Sequence, residues 1–360
     1  MSQAGPLNGL KVVEFGAIGP VPFCAMLLAD MGADVVQITR PNVTASESDF
    51  IQRGRRFVSL DLKSPESRDE ALRLVSVADV VLEGNRPGVM EKLGLGPDTC
   101  LARNPRLVYG RMTGWGQQGP FAASAGHDIN YIAVTGALDA IGTQGRPIVP
   151  LNLVGDYGGG SMFLAFGILA ALLAAQDSGQ GQVIDAAMVD GASYLMSLFY
   201  RLRAQGKWRG PRATNELDGG APWYDTYKTL DEKWVAVGAI EEPFWQLMLT
   251  KLGIAPEGFL SRKDRSNWPA IRVTLERLFG EKTRDEWSAI FDGTDACVSP
   301  VLTMDEAHEN EHLKARHTFV KIDGIVRPAP APRFSSCHLA HLRTSPGKVE
   351  IKSLIGSWGD

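Results

Sequence analysis

Short apolar runs alternate with longer amphipathic stretches from the start of the chain to about Leu202. LKVVEFG (10–16) reads as a buried strand, and PVPFCAMLLADMGA as a helix opened by prolines and closed near Gly32. DVVQIT (34–39) and FVSLDL (57–62) are the next strands. Ser64-Pro65-Glu66 places serine at an N-cap and proline at N1, which predicts a helix to about Val77. ADVVLEG, PRLVYGRMTG and QVIDAAM (182–188) supply further strands. Ser161–Ala175 is so uniformly apolar that it reads as a helix buried all round. Strands spaced by helices mean βαβ units and a mainly parallel α/β sheet.

Beyond Leu202 the pattern changes. WYDTYKTLDEKWVAVGAI (223–240) predicts a β-hairpin, and amphipathic helices follow around Phe244–Leu252, Trp268–Phe279 and Arg284–Phe291. ACVSPVLT and VKIDGIVRPAPAPRF are strand-like, the second ending in a stiff Pro-Ala connector. The division expected is a large α/β domain over 1–202, completed by about 330–360, and a smaller α+β domain over 203–329.

Composition changes this picture little. The 360 residues are 44% hydrophobic and 22% charged, ordinary for a globular protein and enough for two cores. A formal charge of −4 argues against nonspecific nucleic-acid binding, yet leaves room for a local anion site. Cys24, Cys100, Cys297 and Cys337 have no metal spacing and suit free thiols in a reducing compartment. The opening MSQAGPLNGL has no secretory pattern, and Ser161–Ala175 is short of the roughly 20 residues that span a bilayer. A cytoplasmic protein without a membrane span is the expectation.

Candidate chemistry is sparse. The first strand-to-helix turn, Gly16-Ala-Ile-Gly19-Pro20, departs from GxGxxG, and Arg40 stands after the second strand where a nicotinamide site would put an acid. Arg40, Arg53-Gly-Arg55-Arg56, Leu60–Lys63 and Glu83-Gly-Asn-Arg86 form clusters at strand ends that together favour a phosphorylated, anionic ligand. His127, in GHDINY (126–131), is the first histidine of the chain; the other five lie between 308 and 341 in polar stretches. Taken alone, His127 reads as a helix cap or a satisfied structural histidine. Asp156 is the lone charge in LNLVGDYGGGSMF (151–163), where Asp and Gly are also ordinary turn punctuation.

Longer segments carry a resemblance. VVEF-GxxxGP-PFCAMLLADMGADVV, RGRRFVSLDLK (53–63), RPGVMEKLGLGP, RMTGWGQ-GP, AGHDINY, PLNLVGDYGGGSM, QVIDAAMVDG, LDGGAPWYDTY, VAVGAIE and DACVSPVL together resemble the alpha-methylacyl-CoA racemase branch of the family III CoA-transferases. The similarity runs over nearly the whole chain. It implies that His127 and Asp156 are the catalytic bases, with Asn152, Tyr224 and Glu241 arranging them by hydrogen bonds. It implies CoA-thioester contacts from Arg40, Leu60, Asp61, Leu62, Lys63, Glu83, Arg86, Gly126, Asp128, Ile129, Asn130 and Tyr131. It further implies a large Rossmann-like domain, a smaller α+β domain, an interlocked homodimer, and no metal or cofactor, since CoA is part of the substrate. Glu242 and Asn85 depart from the family pattern, Asn85 replacing a common aromatic.

Inverting a carbon next to a thioester requires an acid and a base on opposite faces. A neutral histidine and a carboxylic acid whose pKa is raised by burial suit that task. On this reading Gly158–Gly160 let the thioester approach the backbone, and the Gly158–Ser161 amides at a helix start stabilise the enolate. The alternatives are a CoA-transferase with Asp156 as acyl-accepting nucleophile and a catalytically silent CoA-binding protein. Met188, Met196 and Phe199 are candidates for an acyl surface, or plain core.

Overall fold

The computed structural model describes residues 5–41, 49–337 and 347–359. His338 and His341 lie outside them. The chain divides into two units: residues 1–137, 150–197 and 319–360 form the first, and 138–149 with 198–318 the second.

The first unit is built on six strands: β1 (Lys11–Phe15), β2 (Asp34–Thr39), β3 (Arg55–Ser59), β4 (Val80–Glu83), β5 (Val108–Thr113) and β6 (Gln182–Ala187). Their order is 3-2-1-4-5-6 and every pairing is parallel. This is the doubly wound order, which reverses between β1 and β4 and opens a crevice beyond the carboxyl ends of those strands. Side chains alternate along each strand. Val13, Phe15, Val36 and Val81 face α2 (Pro65–Ser76) and the C-terminal helix Ile351–Gly359. Val12, Val35, Val80 and Leu82 face α1 (Pro20–Asp30) and a helix starting at Met162. Each such side chain, fully buried, contributes about 1.5–3 kcal/mol. Ser64 caps α2 as its sequence predicts, its Oγ accepting from the Ser67 amide at 3.1 Å.

Two expectations change here. β3, the edge strand beside β2, begins at Arg55, two residues before the predicted run, its opening arginines being held by ion pairs to earlier elements. Arg55 is fully buried against Glu14 at 2.7 Å, Arg53 pairs with Asp30, and Arg56 with Asp34. The 53–56 arginines are therefore structural pairs and supply no anion-binding patch. The helix expected over 161–175 is longer and less enclosed. Leu153–Ser178 is one continuous helical run of 26 residues, apolar and long enough by composition to cross a membrane. Its inner side, Leu164, Ala165, Ile168 and Ala171, packs in the sheet's core. Phe166 and Leu173 on its outer side are 73% and 65% exposed.

The second unit carries an antiparallel sheet of β7 (Tyr224–Lys228), β8 (Trp234–Gly238) and β9 (Val298–Pro300), in the order 9-8-7. Helices Glu242–Lys251, Trp268–Phe279 and Arg284–Phe291 cover it. Their shared core is aromatic, built on Trp223, Trp245, Phe279, Trp287 and Phe291.

Candidate active site

The carboxyl ends of β1 to β4 border a cavity of about 780 Å³ in the first unit. Gly16 and Ala17 enter from the β1 turn, Thr39 and Arg40 from β2, Leu60–Lys63 after β3, and Asn85 after β4. Arg40 and Lys63 are exposed at its rim, whereas Leu60 is buried in its wall. The Leu60 amide donates to the Thr39 carbonyl at 2.9 Å, and the Lys63 amide to Asp61 Oδ1 at 3.1 Å, so the loop holds a fixed shape. Apolar walls with exposed cations at the mouth suit a flat ring carrying phosphates.

Glu83, expected to contact the ligand, does not line this cavity. Its fully buried carboxylate accepts from the Asn85 amide at 2.7 Å and from Arg111 Nε at 3.0 Å. Burial pushes its pKa up, opposed by those donors. Glu83 therefore shapes the Gly84–Arg86 loop, leaving Asn85 in the cavity wall and Arg86 exposed.

The catalytic candidates sit on two short elements of the same unit. His127 is the N-cap of α3 (Asp128–Val134), with an exposed side chain. Its amide donates to Asn130 Oδ1 at 3.0 Å, and the Asn130 amide returns to the His127 carbonyl at 2.8 Å. These bonds fix the backbone beside the exposed imidazole. Ile129 and Asn130 are exposed beside it. Tyr131 is instead a buried pillar, its ring edge-on to Trp115 at 4.9 Å and its hydroxyl donating to the Gly126 carbonyl. A methyl on Gly126 would lie 2.7 Å from that ring, so Gly126 and Tyr131 contribute packing.

Asp156 lies in a π-helical segment, Leu153–Ser161, that runs into α4 (Met162–Ser178). π-helical turns widen a helix and recur at functional sites. Asn152 Nδ2 donates to Asp156 Oδ2 at 3.3 Å, as the resemblance implies. Burial pushes the Asp156 carboxyl above the usual carboxylate range; Asn152 and His127 pull it down, and Asp128 pushes it further up. Burial thus prevails over the hydrogen bond. The influence of His127 also places the two candidate bases within electrostatic reach of each other.

Three expectations about this region need correction. Within the segment the amides turn back five residues, from Tyr157 onto Asn152 to Met162 onto Tyr157, so the Gly158–Ser161 amides are spent inside the helix and are not the enolate donors. The glycines serve packing: a methyl on Gly159 would stand 2.6 Å from the Ala192 amide nitrogen, and one on Gly191 would stand 1.8 Å from the Gly159 carbonyl oxygen. That close crossing seats the segment on α5 (Met188–Leu195). Asp128, expected on the ligand, is 7% exposed and turned inward, its Oδ1 accepting from the Asp156 amide at 2.7 Å. Met188 is core.

Gly19, in the first strand-to-helix turn, is a site residue that the sequence pattern did not reveal. Gly19 has φ +72°, and a methyl there would lie 3.5 Å from Asp156 Oδ2. The Phe23 ring stacks on Tyr157 at 4.3 Å, and Ser161 Oγ lies 2.7 Å from the Pro20 carbonyl and 3.1 Å from that of Asp156. The first βα turn and the Asp156 segment are one assembly. In the second unit, Tyr224 opens β7 and Glu241 is the exposed N-cap of helix Glu242–Lys251. Glu242 is paired with Arg262 at 3.0 Å.

The family model "CoA-transferase family III" matches residues 7–352. The chain is 47% identical over 327 residues to the mouse alpha-methylacyl-CoA racemase, covering 91% of this chain and 85% of that protein. It is 46% identical over 328 residues to the human alpha-methylacyl-CoA racemase, with coverage of 91% and 86%. The solved structure of a CaiB/BaiF family protein from Brucella suis superposes with TM-score 0.84 at 26% identity, covering 99% of this chain and 100% of that one. Rv3272 from Mycobacterium tuberculosis superposes with TM-score 0.81 at 27% identity, with coverage of 96% and 97%. The chain belongs to CoA-transferase family III.

Proposed function

We propose, on the basis of the 46–47% identity to the two racemases, that this chain is a racemase of 2-methylacyl-CoA thioesters, working without metal or cofactor. His127 and Asp156 act as opposed acid and base. One removes the α-proton, an enolate forms at the thioester, and the other delivers a proton to the opposite face. The roles reverse with direction. The observation that carries this reading is the environment of Asp156: a half-buried carboxyl with a raised pKa, held by Asn152, within reach of the exposed His127. A raised pKa suits a carboxyl that must give a proton in one direction and take one in the other.

The cavity at the strand ends would take the nucleotide part of CoA, with Arg40 and Lys63 meeting its phosphates. On the resemblance, Tyr224 and Glu241 would orient the bases. The resemblance supports their supply by a partner copy in an interlocked homodimer of two-domain chains. The exposed apolar residues Phe166, Leu173 and Tyr194 suit such a partner. Three of the four cysteines are free and buried, which suits the cytoplasm. An active monomer in sedimentation would refute the dimer.

The test of function is incubation of one enantiomer of a 2-methylacyl-CoA in deuterated water. Deuterium should enter the α-carbon as optical purity is lost. Label that enters only with a carboxylic acid acceptor present, or never, would refute racemisation.

A further inference from the structure

Asp128 sits behind the catalytic pair, one residue past His127 and 28 positions before Asp156, whose backbone amide it meets. We infer that Asp128 is a positioning residue for Asp156: its buried carboxylate accepts a hydrogen bond from the Asp156 amide and fixes where the Asp156 side chain leaves the backbone. This rests on the two-base reading above.

Four observations carry it. Asp128 Oδ1 accepts from the Asp156 amide at 2.7 Å, a short charge-assisted bond across two elements. That amide lies in the first turn of the π-helical segment, where backbone donors have no partner within the helix. Gly155 presses its Cα against the same carboxylate, since a methyl there would stand 2.4 Å from Asp128 Oδ1. Asp128 Oδ2 is buried and has no hydrogen-bond partner among the described residues. A solvating role would not strand one oxygen in this way; a bracing role accepts the cost for a fixed geometry. Asp128 thus joins α3, which carries His127, to the segment that carries Asp156, and sets the spacing of the two bases.

The brace also has an electrostatic consequence. The groups facing the Asp156 carboxyl from α3 are His127 and Asp128, with Tyr131 and, beyond it, Arg86. From α1 and α5 the segment meets Pro20, Gly191 and Ala192, which are uncharged. Asp128 is the negative member, and it opposes ionisation of Asp156. Removing its charge should lower the pH at which Asp156 loses its proton.

The test compares Asp128→Asn and Asp128→Ala with the unaltered full-length protein. Asp128→Asn keeps an acceptor for the amide; it should fold, keep KM within threefold and shift the pH profile of proton exchange at the Asp156 face to lower pH. Asp128→Ala should lose about 100-fold in kcat at little change in KM, as expected for a misplaced catalytic group. A rise in KM with kcat intact would overturn the proposal and make Asp128 a ligand contact. A second readout needs no activity: the Asp156 amide should be protected from hydrogen exchange in the ligand-free protein, and in Asp128→Asn, but not in Asp128→Ala. An unprotected amide in an active protein refutes the brace. A protected amide in a protein that does not racemise refutes the proposed function instead.

Discussion

The cavity at the strand ends and the shelf that carries the two bases belong to one unit and are built in opposite ways. The cavity is lined by short loops, with Arg40 and Lys63 exposed at its rim. The shelf is over-determined: Gly159 crosses Gly191 at backbone distance, Asp128 braces Asp156, and Ser161 ties the segment to Pro20. Holding a long, flexible ligand needs charge at the right places and tolerates loose side chains. Moving a proton across a carbon needs groups fixed to a fraction of an ångström.

The contrast can be broken at several points. Gly191→Ala should have the largest effect on the fold, because the new methyl meets the Gly159 carbonyl oxygen at 1.8 Å. We expect a loss on the order of 3 kcal/mol, the upper part of the usual range for overpacking, read by urea unfolding. An unchanged midpoint would show that the crossing is slack. Arg53→Ala should cost about 3 kcal/mol by stranding buried Asp30, with KM unchanged. Arg40→Ala should do the reverse, raising KM about tenfold through a lost charge-assisted contact while stability holds. If the two arginines exchanged these effects, the division between structural and ligand-facing cations would be wrong.

That division marks the limit of what the sequence discloses. The alternating strands and helices were legible because burial repeats at a period of two in strands and near 3.6 in helices. Arg40 and Arg55 look alike as letters, however. Burial of Arg55 depends on Glu14, 41 residues earlier, a pairing that local pattern does not encode. His127, Asp156 and Asn152 were legible as types, and the structure brings them into one region. Asp128 was misread because a carboxylate in a motif says nothing about its direction. The glycines after Asp156 were assigned to the ligand for a similar reason: bare backbone can face a thioester or another helix, and the Gly191 that decides it lies 35 residues on. The outer face of the apolar run was missed because uniform hydrophobicity erases the periodicity that would mark an exposed side.

The most direct test of the two-face account uses single-base variants in deuterated water. His127→Ala should lose racemisation yet leave Asp156 to exchange the α-proton of one enantiomer, the R form on the racemase resemblance. Asp156→Asn should lose racemisation and exchange only the S form. In each variant the second enantiomer should stay unlabelled over the time in which the first is fully exchanged. Equal exchange of both enantiomers by either variant would contradict the account.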